Sequence, residues 1–209
     1  MNREATRTAL ARYFEVPIAR ALSAVGISPN MLTLAGLLVA GASAYLVSEG
    51  WLLVGGIVLL ASGPFDMLDG AVARFRGTVS RFGALLDSTA DRVAEAGLLL
   101  GLAIYLYRED DLTGVALAFG ALAGSMTVSY LRARGEGLGV SSRSGIMTRP
   151  ERVVTLGVGL MVAQWWGPFA TIVVGVIAGL TILTSIQRLF EIKGLLQESE
   201  EGEKSEEAN

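Results

Sequence analysis

Asp66, Asp69, Asp87 and Asp91 are the residues of this chain best suited to chemistry. They stand in the stretch DMLDGAVARFRGTVSRFGALLDSTAD, directly after the apolar run WLLVGGIVLLASGPF. On helices, Asp66 and Asp69 (i, i+3) share one face and Asp87 and Asp91 (i, i+4) share another. The linker between the two helix ends is short, so these faces can meet. Four carboxylates converging at the edge of a low-dielectric slab repel strongly unless something neutralises them. Two divalent cations would do so, and an all-oxygen site suits magnesium, manganese or calcium better than zinc. The chain has no histidine and no cysteine, which removes imidazole and thiolate zinc sites, thiol nucleophiles, disulfides and histidine bases together. A purely structural alternative pairs the aspartates with Arg74, Arg76, Arg81 and Arg92. It leaves unexplained the small residues Gly70, Ala73 and Gly83 among them, which open a gap where a ligand can approach the backbone.

The elements that carry these residues belong to a membrane protein. Over 209 residues, 52% are hydrophobic and the mean hydropathy is +0.52, values outside the range of an ordinary soluble domain. A bilayer core needs about 20 apolar residues per helix. Six runs qualify, near 31–49, 51–73, 84–107, 112–133, 151–166 and 168–190. Residues 27–195 are therefore expected to form an all-α integral membrane domain, a bundle of six transmembrane helices. Before it, Leu10, Tyr13, Phe14, Ile18, Leu22 and Val25 recur at helical spacing opposite Arg3, Arg7, Arg12 and Arg20. Residues 1–26 thus predict an interfacial amphipathic helix, with a soluble cap on the bundle as the alternative. After it, 196–209 reads as a disordered acidic tail, with six glutamates against one lysine from Glu198 onward. The arginines and lysines gather almost entirely on one side of such a bundle. That bias predicts the N-terminus and the C-terminus in the cytoplasm and the aspartates facing it, in a multi-pass protein of the cell membrane. Trp51, Trp165 and Trp166 fall at the outer span ends, as an interfacial belt would.

The spacing D-x2-D-G-x2-A-R-x8-G-x3-D-x3-D is met in full by Asp66, Asp69, Gly70, Ala73, Arg74, Gly83, Asp87 and Asp91. In this the chain resembles the CDP-alcohol phosphatidyltransferases. The run SPNMLT (Ser28 to Thr33) and the six-span layout extend the likeness over most of residues 5–195. The resemblance implies an enzyme that transfers the phosphatidyl group of a CDP-linked lipid to an alcohol and releases CMP. Asp66, Asp69 and Asp87 would then hold two Mg2+ or Mn2+ ions, with Asp91 a further ligand and the catalytic base on the acceptor hydroxyl. Asp66, Asp69, Gly70, Ala73, Arg74, Ser80, Gly83 and Asp87 would surround the CDP moiety. Independently of the family, two metals can clamp a pyrophosphate and activate a nucleophile. Glu95, one turn beyond Asp91, reads as a structural residue before a fifth ligand.

The acceptor is read from SYLRARGEGLGVSSRSGIMTRPER, Ser129 to Arg152. Its arginines suit a phosphorylated polyol, because guanidinium forks match phosphate bidentately, although cytoplasmic loops are basic in any case. The run S-Y-x-R-A-R followed by G-I-x-x-R-P-E-R is similar to the branch that uses inositol 1-phosphate, the phosphatidylinositol phosphate synthases of actinobacteria and their archaeal counterparts. That likeness gives Arg132, Arg134, Arg152 and Arg188 the acceptor phosphate. Gly135 and Thr148 depart from the branch's pattern, and a phosphatidylglycerophosphate synthase using glycerol 3-phosphate is the alternative. Three small-xxx-small pairs (Gly97/Gly101, Gly120/Gly124, Gly175/Gly179) imply close helix packing, within one bundle or across a dimer; the resemblance implies a homodimer. The partners are thus membrane lipid, a CDP-lipid donor and a phosphorylated acceptor, and nucleic acid is not among them. An ion transporter is the competing class, but it would place charges at mid-bilayer, whereas here they lie at one end.

Overall fold

The computed structural model describes residues 15–142 and 145–207, with the backbone alone for 202–207. Arg143 and the residues of the N-terminal segment before Glu15 (Arg3, Arg7, Leu10, Arg12, Tyr13 and Phe14) lie outside the described residues. The described chain is all-α. It comprises α1 (Val16–Ala24), α2 (Pro29–Ser48), α3 (Leu52–Arg76), α4 (Arg81–Arg108), α5 (Leu112–Gly137), α6 (Arg149–Ala163) and α7 (Pro168–Glu207). Four helices are long and apolar enough to cross a membrane: α2, α3, α5 and α7 as far as Glu201. The chain is a multi-pass membrane protein. The other two expected spans, α4 and α6, fall outside that measure of length and composition. Helix α4 carries Asp87, Asp91, Arg92 and Glu95 within its first 15 residues, and α6 has 15 residues, below the roughly 20 that a bilayer core takes.

The chain divides into two compact units, Met1–Gly101 and Leu102–Asn209. In the first, Ala19, Leu32, Ala71 and Val72 form a buried cluster against which Leu22, Ile27, Phe65 and Leu68 pack. Helix α1 therefore turns its Ala19 and Leu22 face to α2 and α3, while Val16, Ile18 and Val25 stay exposed. Leu22 belongs to the inner face rather than the outer one. Ser28 caps α2, accepting from the Met31 N–H at 3.3 Å, with Pro29 opening the first turn. Ser43 Oγ of α2 donates to the Gly55 carbonyl of α3 at 2.7 Å. Gly55 permits that approach, since a Cβ there would lie 2.6 Å from Val47 Cγ2. Pro64 sits inside α3, two residues before Asp66, where it cannot donate to the Leu60 carbonyl and so loosens the helix beside the site.

In the second unit α5 and α7 pack closely on small residues. A Cβ on Gly124 would clash with the Thr181 side chain, Gly120 faces Ala178, and Gly175 faces Leu117. With Gly101 against the Ala44 backbone in the first unit, all three expected glycine pairs are used, wholly or in part, for packing within one chain. Gly159 of α6 takes Val173 of α7 in the same way, at 2.6 Å from where its Cβ would stand. Asp111 caps α5, accepting from the Gly114 N–H at 2.8 Å and from the Thr171 hydroxyl. The Thr171 hydrogen bond first, then the Gly114 amide, holds its carboxyl below the usual carboxylate range. Trp51, Trp165 and Trp166 are all exposed between helices. Where the sequence predicts a disordered tail, α7 continues as helix to Glu207, through LLQESEE, whose leucines, glutamine and glutamates are good helix formers.

Gly124→Ala is expected to lower stability by about 1–3 kcal/mol through overpacking, seen as a lower thermal midpoint in detergent. Gly179→Ala, where nothing lies within 4 Å of the added Cβ, is expected to leave the midpoint unchanged or raise it slightly.

Candidate active site

The first unit builds the carboxylate site from a helix end, a turn and a helix start. Helix α3 stops because Gly77 takes the left-handed conformation, φ 65°, and its N–H and that of Thr78 close on the Arg74 and Ala73 carbonyls. The chain then reverses through Thr78 and Val79, and Ser80 Oγ accepts from the Gly83 N–H at 3.0 Å at the head of α4. This compact reversal brings Asp66 of α3 against Asp87 and Asp91 of α4. Each of the three offers an oxygen, and these oxygens all lie within 4.8 Å of one another. Gly36 of α2 makes room behind them, since a Cβ there would stand 3.0 Å from Phe65 Cβ and 3.9 Å from Asp66 Oδ1.

Asp69, the fourth predicted carboxylate, is not in that group of three. It is 6% exposed and accepts from the Thr33 hydroxyl of α2 at 2.6 Å. It lines instead a cavity of 550 Å³ together with Gly70, Ala73, Arg74, Ser80, Gly83 and Asp87. Seven of the eight residues expected around the CDP moiety therefore share one cavity, and Asp66 stands beside it in the carboxylate group. The glycines keep the cavity open: a Cβ on Gly70 would lie 3.1 Å from Arg74 Nη1, and one on Gly83 would lie 3.1 Å from Ser80 Oγ. Ser28, Asn30, Thr33, Arg76 and Thr78 also line it. Sequence reasoning gave these no role, although the SPNMLT run holds three of them. Arg74 pairs with Glu15 at 3.1 Å, Arg76 donates to the Ser23 carbonyl at 2.8 Å, and Arg92 donates to the Ser88 carbonyl. Glu95 is half-buried and outside the group of three.

The donor set fits a divalent cation. Three carboxylates converge within reach of one ion, with hard oxygen donors throughout, and their mutual repulsion is relieved by positive charge. One residue type dominates the signature because acceptor-only carboxylates are what such an ion binds.

A scan against family models matches residues 26–197 to the CDP-alcohol phosphatidyltransferase family. The chain belongs to this family. Among its members, a phosphatidylinositol phosphate synthase of Mycobacterium tuberculosis is 35% identical over 193 residues, covering 90% of this chain and 88% of that protein. An archaetidylinositol phosphate synthase of Methanothermobacter thermautotrophicus is 36% identical over 182 residues, covering 87% and 89%. Crystal structures of the M. tuberculosis enzyme superpose with a TM-score of 0.81 at 34% identity. One has CDP-DAG bound and covers 86% of this chain and 93% of that one; another holds manganese and citrate. As a CDP-alcohol phosphatidyltransferase, this chain is an enzyme of phospholipid biosynthesis.

The second unit of this phosphatidyltransferase holds the predicted arginines. Arg152 and Arg188 are 3% and 4% exposed. Arg188 Nη1 donates to the Val128 carbonyl at 2.9 Å, and Arg152 Nη1 donates to that of Met147 at 3.1 Å. The Arg188 guanidinium feels the positive charges of Arg132 and Arg152 and the negative ones of Glu191 and Glu136. Arg132 is exposed and pairs with Glu136 at 3.0 Å. Arg134 is exposed and is not among the charges acting on Arg188, so three of the four arginines come together. Burying two guanidiniums near a third is costly unless an anion or carboxylates compensate. Several described residues after α5 are tied beside them: Ser142 donates to Glu191, the Met147 N–H donates to Thr184 Oγ1 at 3.1 Å, and Gly145 adopts φ 143° against Thr184 and Arg188. Ser142, Glu191 and Gly145 were not read from the sequence as site residues.

Gly145→Ala meets both a left-handed backbone and a Thr184 methyl 2.6 Å away. It is expected to lower stability by more than about 1 kcal/mol, measured as a fall in thermal midpoint. Gly137→Ala, with open space around it, serves as the neutral comparison.

Proposed function

We propose that this enzyme transfers the phosphatidyl group of a CDP-linked lipid to the hydroxyl of inositol 1-phosphate and releases CMP. The observation that carries this reading is the convergence of Asp66, Asp87 and Asp91 beside a cavity lined by the rest of the donor signature. The kinship with phosphatidylinositol phosphate and archaetidylinositol phosphate synthases and the buried Arg152 and Arg188 support the choice of acceptor. Diacylglycerol and archaeal ether lipids are both accommodated by such a reading of the donor.

In this proposal Asp66, Asp69, Asp87 and Asp91 hold two divalent ions, Mg2+ or Mn2+. When bound, such ions neutralise the pyrophosphate and stabilise developing charge on its oxygens. Gly70, Ala73, Ser80 and Gly83 leave space for the nucleotide, and Arg74 places a guanidinium at its edge. Arg132, Arg152 and Arg188 orient the acceptor by its phosphate, with Arg134 as the fourth proposed contact. Asp91 takes the proton from the acceptor hydroxyl. The acceptor oxygen then bonds to the phosphorus of the phosphatidyl group as the pyrophosphate bridge breaks, and the bridging oxygen departs with CMP.

The same reading places six membrane-crossing helices in the cell membrane, N-terminus and C-terminus inside, with residues 1–26 forming an amphipathic interfacial segment. Helix α4 has all its acids in its first 15 residues and, between Glu95 and Arg108, an apolar run from Ala96 to Tyr107 broken only by small and polar-tipped residues, which suits a span that keeps its aspartates at the interface. A homodimer completes the proposal. Gly97 has open space around it and remains for a contact between copies.

CMP release by detergent-purified enzyme with CDP-diacylglycerol and Mg2+ tests the acceptor. Release with inositol 1-phosphate but not glycerol 3-phosphate, inositol or serine is expected; release with glycerol 3-phosphate alone would overturn the acceptor. Asp91→Asn is expected to lower turnover by about 10²–10⁴ while sparing CDP-lipid binding. Arg132→Gln is expected to raise the acceptor Michaelis constant about tenfold or more, the worth of a charge-assisted hydrogen bond, with the donor's constant little changed.

A further inference from the structure

Thr33 and Asp69 are 36 positions apart in the chain, on α2 and α3, and both are 6% exposed. Thr33 Oγ1 lies 2.6 Å from Asp69 Oδ2 and 3.3 Å from the Pro29 carbonyl one turn earlier. A hydroxyl has one proton to donate. The shorter contact has the length of a charge-assisted O–H···O⁻ bond, so the proton belongs to Asp69 and the Pro29 contact is secondary. Both residues line the 550 Å³ cavity with Asp87. A buried carboxylate needs such a donor, because desolvation is costly without one. The bond does more than offset that cost. It engages one named oxygen of Asp69 and fixes the carboxylate plane.

We propose that Thr33 is a positioning residue for the divalent-cation site: by donating to Asp69 Oδ2 it sets Oδ1 as the oxygen that joins Asp66, Asp87 and Asp91 around the ions. This rests on the reading of the four aspartates as cation ligands. It explains why Asp69 stands apart from the close group of three. Asp66, Asp87 and Asp91 assemble through the α3–α4 reversal, whereas Asp69 is aimed from the neighbouring helix α2. Partners of this kind commonly change metal affinity by 10- to 100-fold when removed. Valine at 33 has nearly the shape of threonine and no hydroxyl, so the change isolates the hydrogen bond.

The test is a Mn2+ titration followed by electron paramagnetic resonance, on substrate-free, detergent-purified full-length protein. Thr33→Val is expected to weaken Mn2+ binding by about 10- to 100-fold, and Thr33→Ser to restore most of it. In an Asp69→Asn background, Thr33→Val is expected to add nothing, since its effect runs through Asp69. Wild-type affinity in Thr33→Val, or an equal loss in the Asp69→Asn background, would overturn the inference while leaving the cation site in place. A wild-type protein that binds no Mn2+ would overturn the cation site itself, and the role of Thr33 with it. If valine lowers the thermal midpoint, Thr33→Ala compared with Thr33→Ser provides the same contrast.

Discussion

Like charges held close together at the end of apolar helices dominate the physics of this protein. Asp66, Asp87 and Asp91 present oxygens within 4.8 Å of one another, and at the margin of a low-dielectric region such a group repels strongly unless cations or protons relieve it. Its stability is tied to what it binds, and the divalent cation that the donor set suits is also what a pyrophosphate needs. The surrounding elements are arranged to keep the group assembled. Gly77 ends α3 sharply, Ser80 starts α4, and Gly36 lets α2 pack behind Phe65 and Asp66.

The second unit poses the opposite electrostatic problem in the same form. Arg152 and Arg188 are buried, Arg132 acts on Arg188, and Glu136 and Glu191 offset part of the charge. Gly145 lies against Arg188, the Met147 carbonyl accepts from Arg152, and Ser142 donates to Glu191. A site that concentrates negative charge for cations and another that concentrates positive charge fit an enzyme whose donor is a pyrophosphate and whose proposed acceptor is a phosphate. In both, glycines and hydroxyls on neighbouring helices hold the charged groups in place.

Much of this was legible in the sequence because it is local. The i, i+3 and i, i+4 spacings put each aspartate pair on a helix face, and the short linker made the faces meet. Seven of the eight donor residues accordingly share one cavity. What was not legible depends on contacts distant along the chain. Thr33 reaches Asp69 across 36 positions, and no periodicity within α2 marks it. Similarly, Arg132 and Arg134 are two residues apart and look equivalent as letters, yet only Arg132 is among the charges acting on Arg188, since side chains two apart on a helix point in different directions. The membrane reading followed from hydropathy, and among the described residues four helices stand as spans by length and composition, the charges of α4 and the brevity of α6 keeping those two outside that measure. The inner face of α1 was missed because Leu22 and Ile18, both apolar, were assigned to one surface, whereas packing on Ala71 and Val72 takes only Leu22.

The most direct test of the central claim is anomalous diffraction from crystals grown with Mn2+ and a CDP-linked lipid. The expected result is manganese density bounded by the carboxylates of Asp66, Asp87 and Asp91, with Asp69 as the fourth ligand. A CDP-lipid seated in the cavity with no manganese at those carboxylates would contradict it, and would leave the convergence of three aspartates to be explained by something other than a cation.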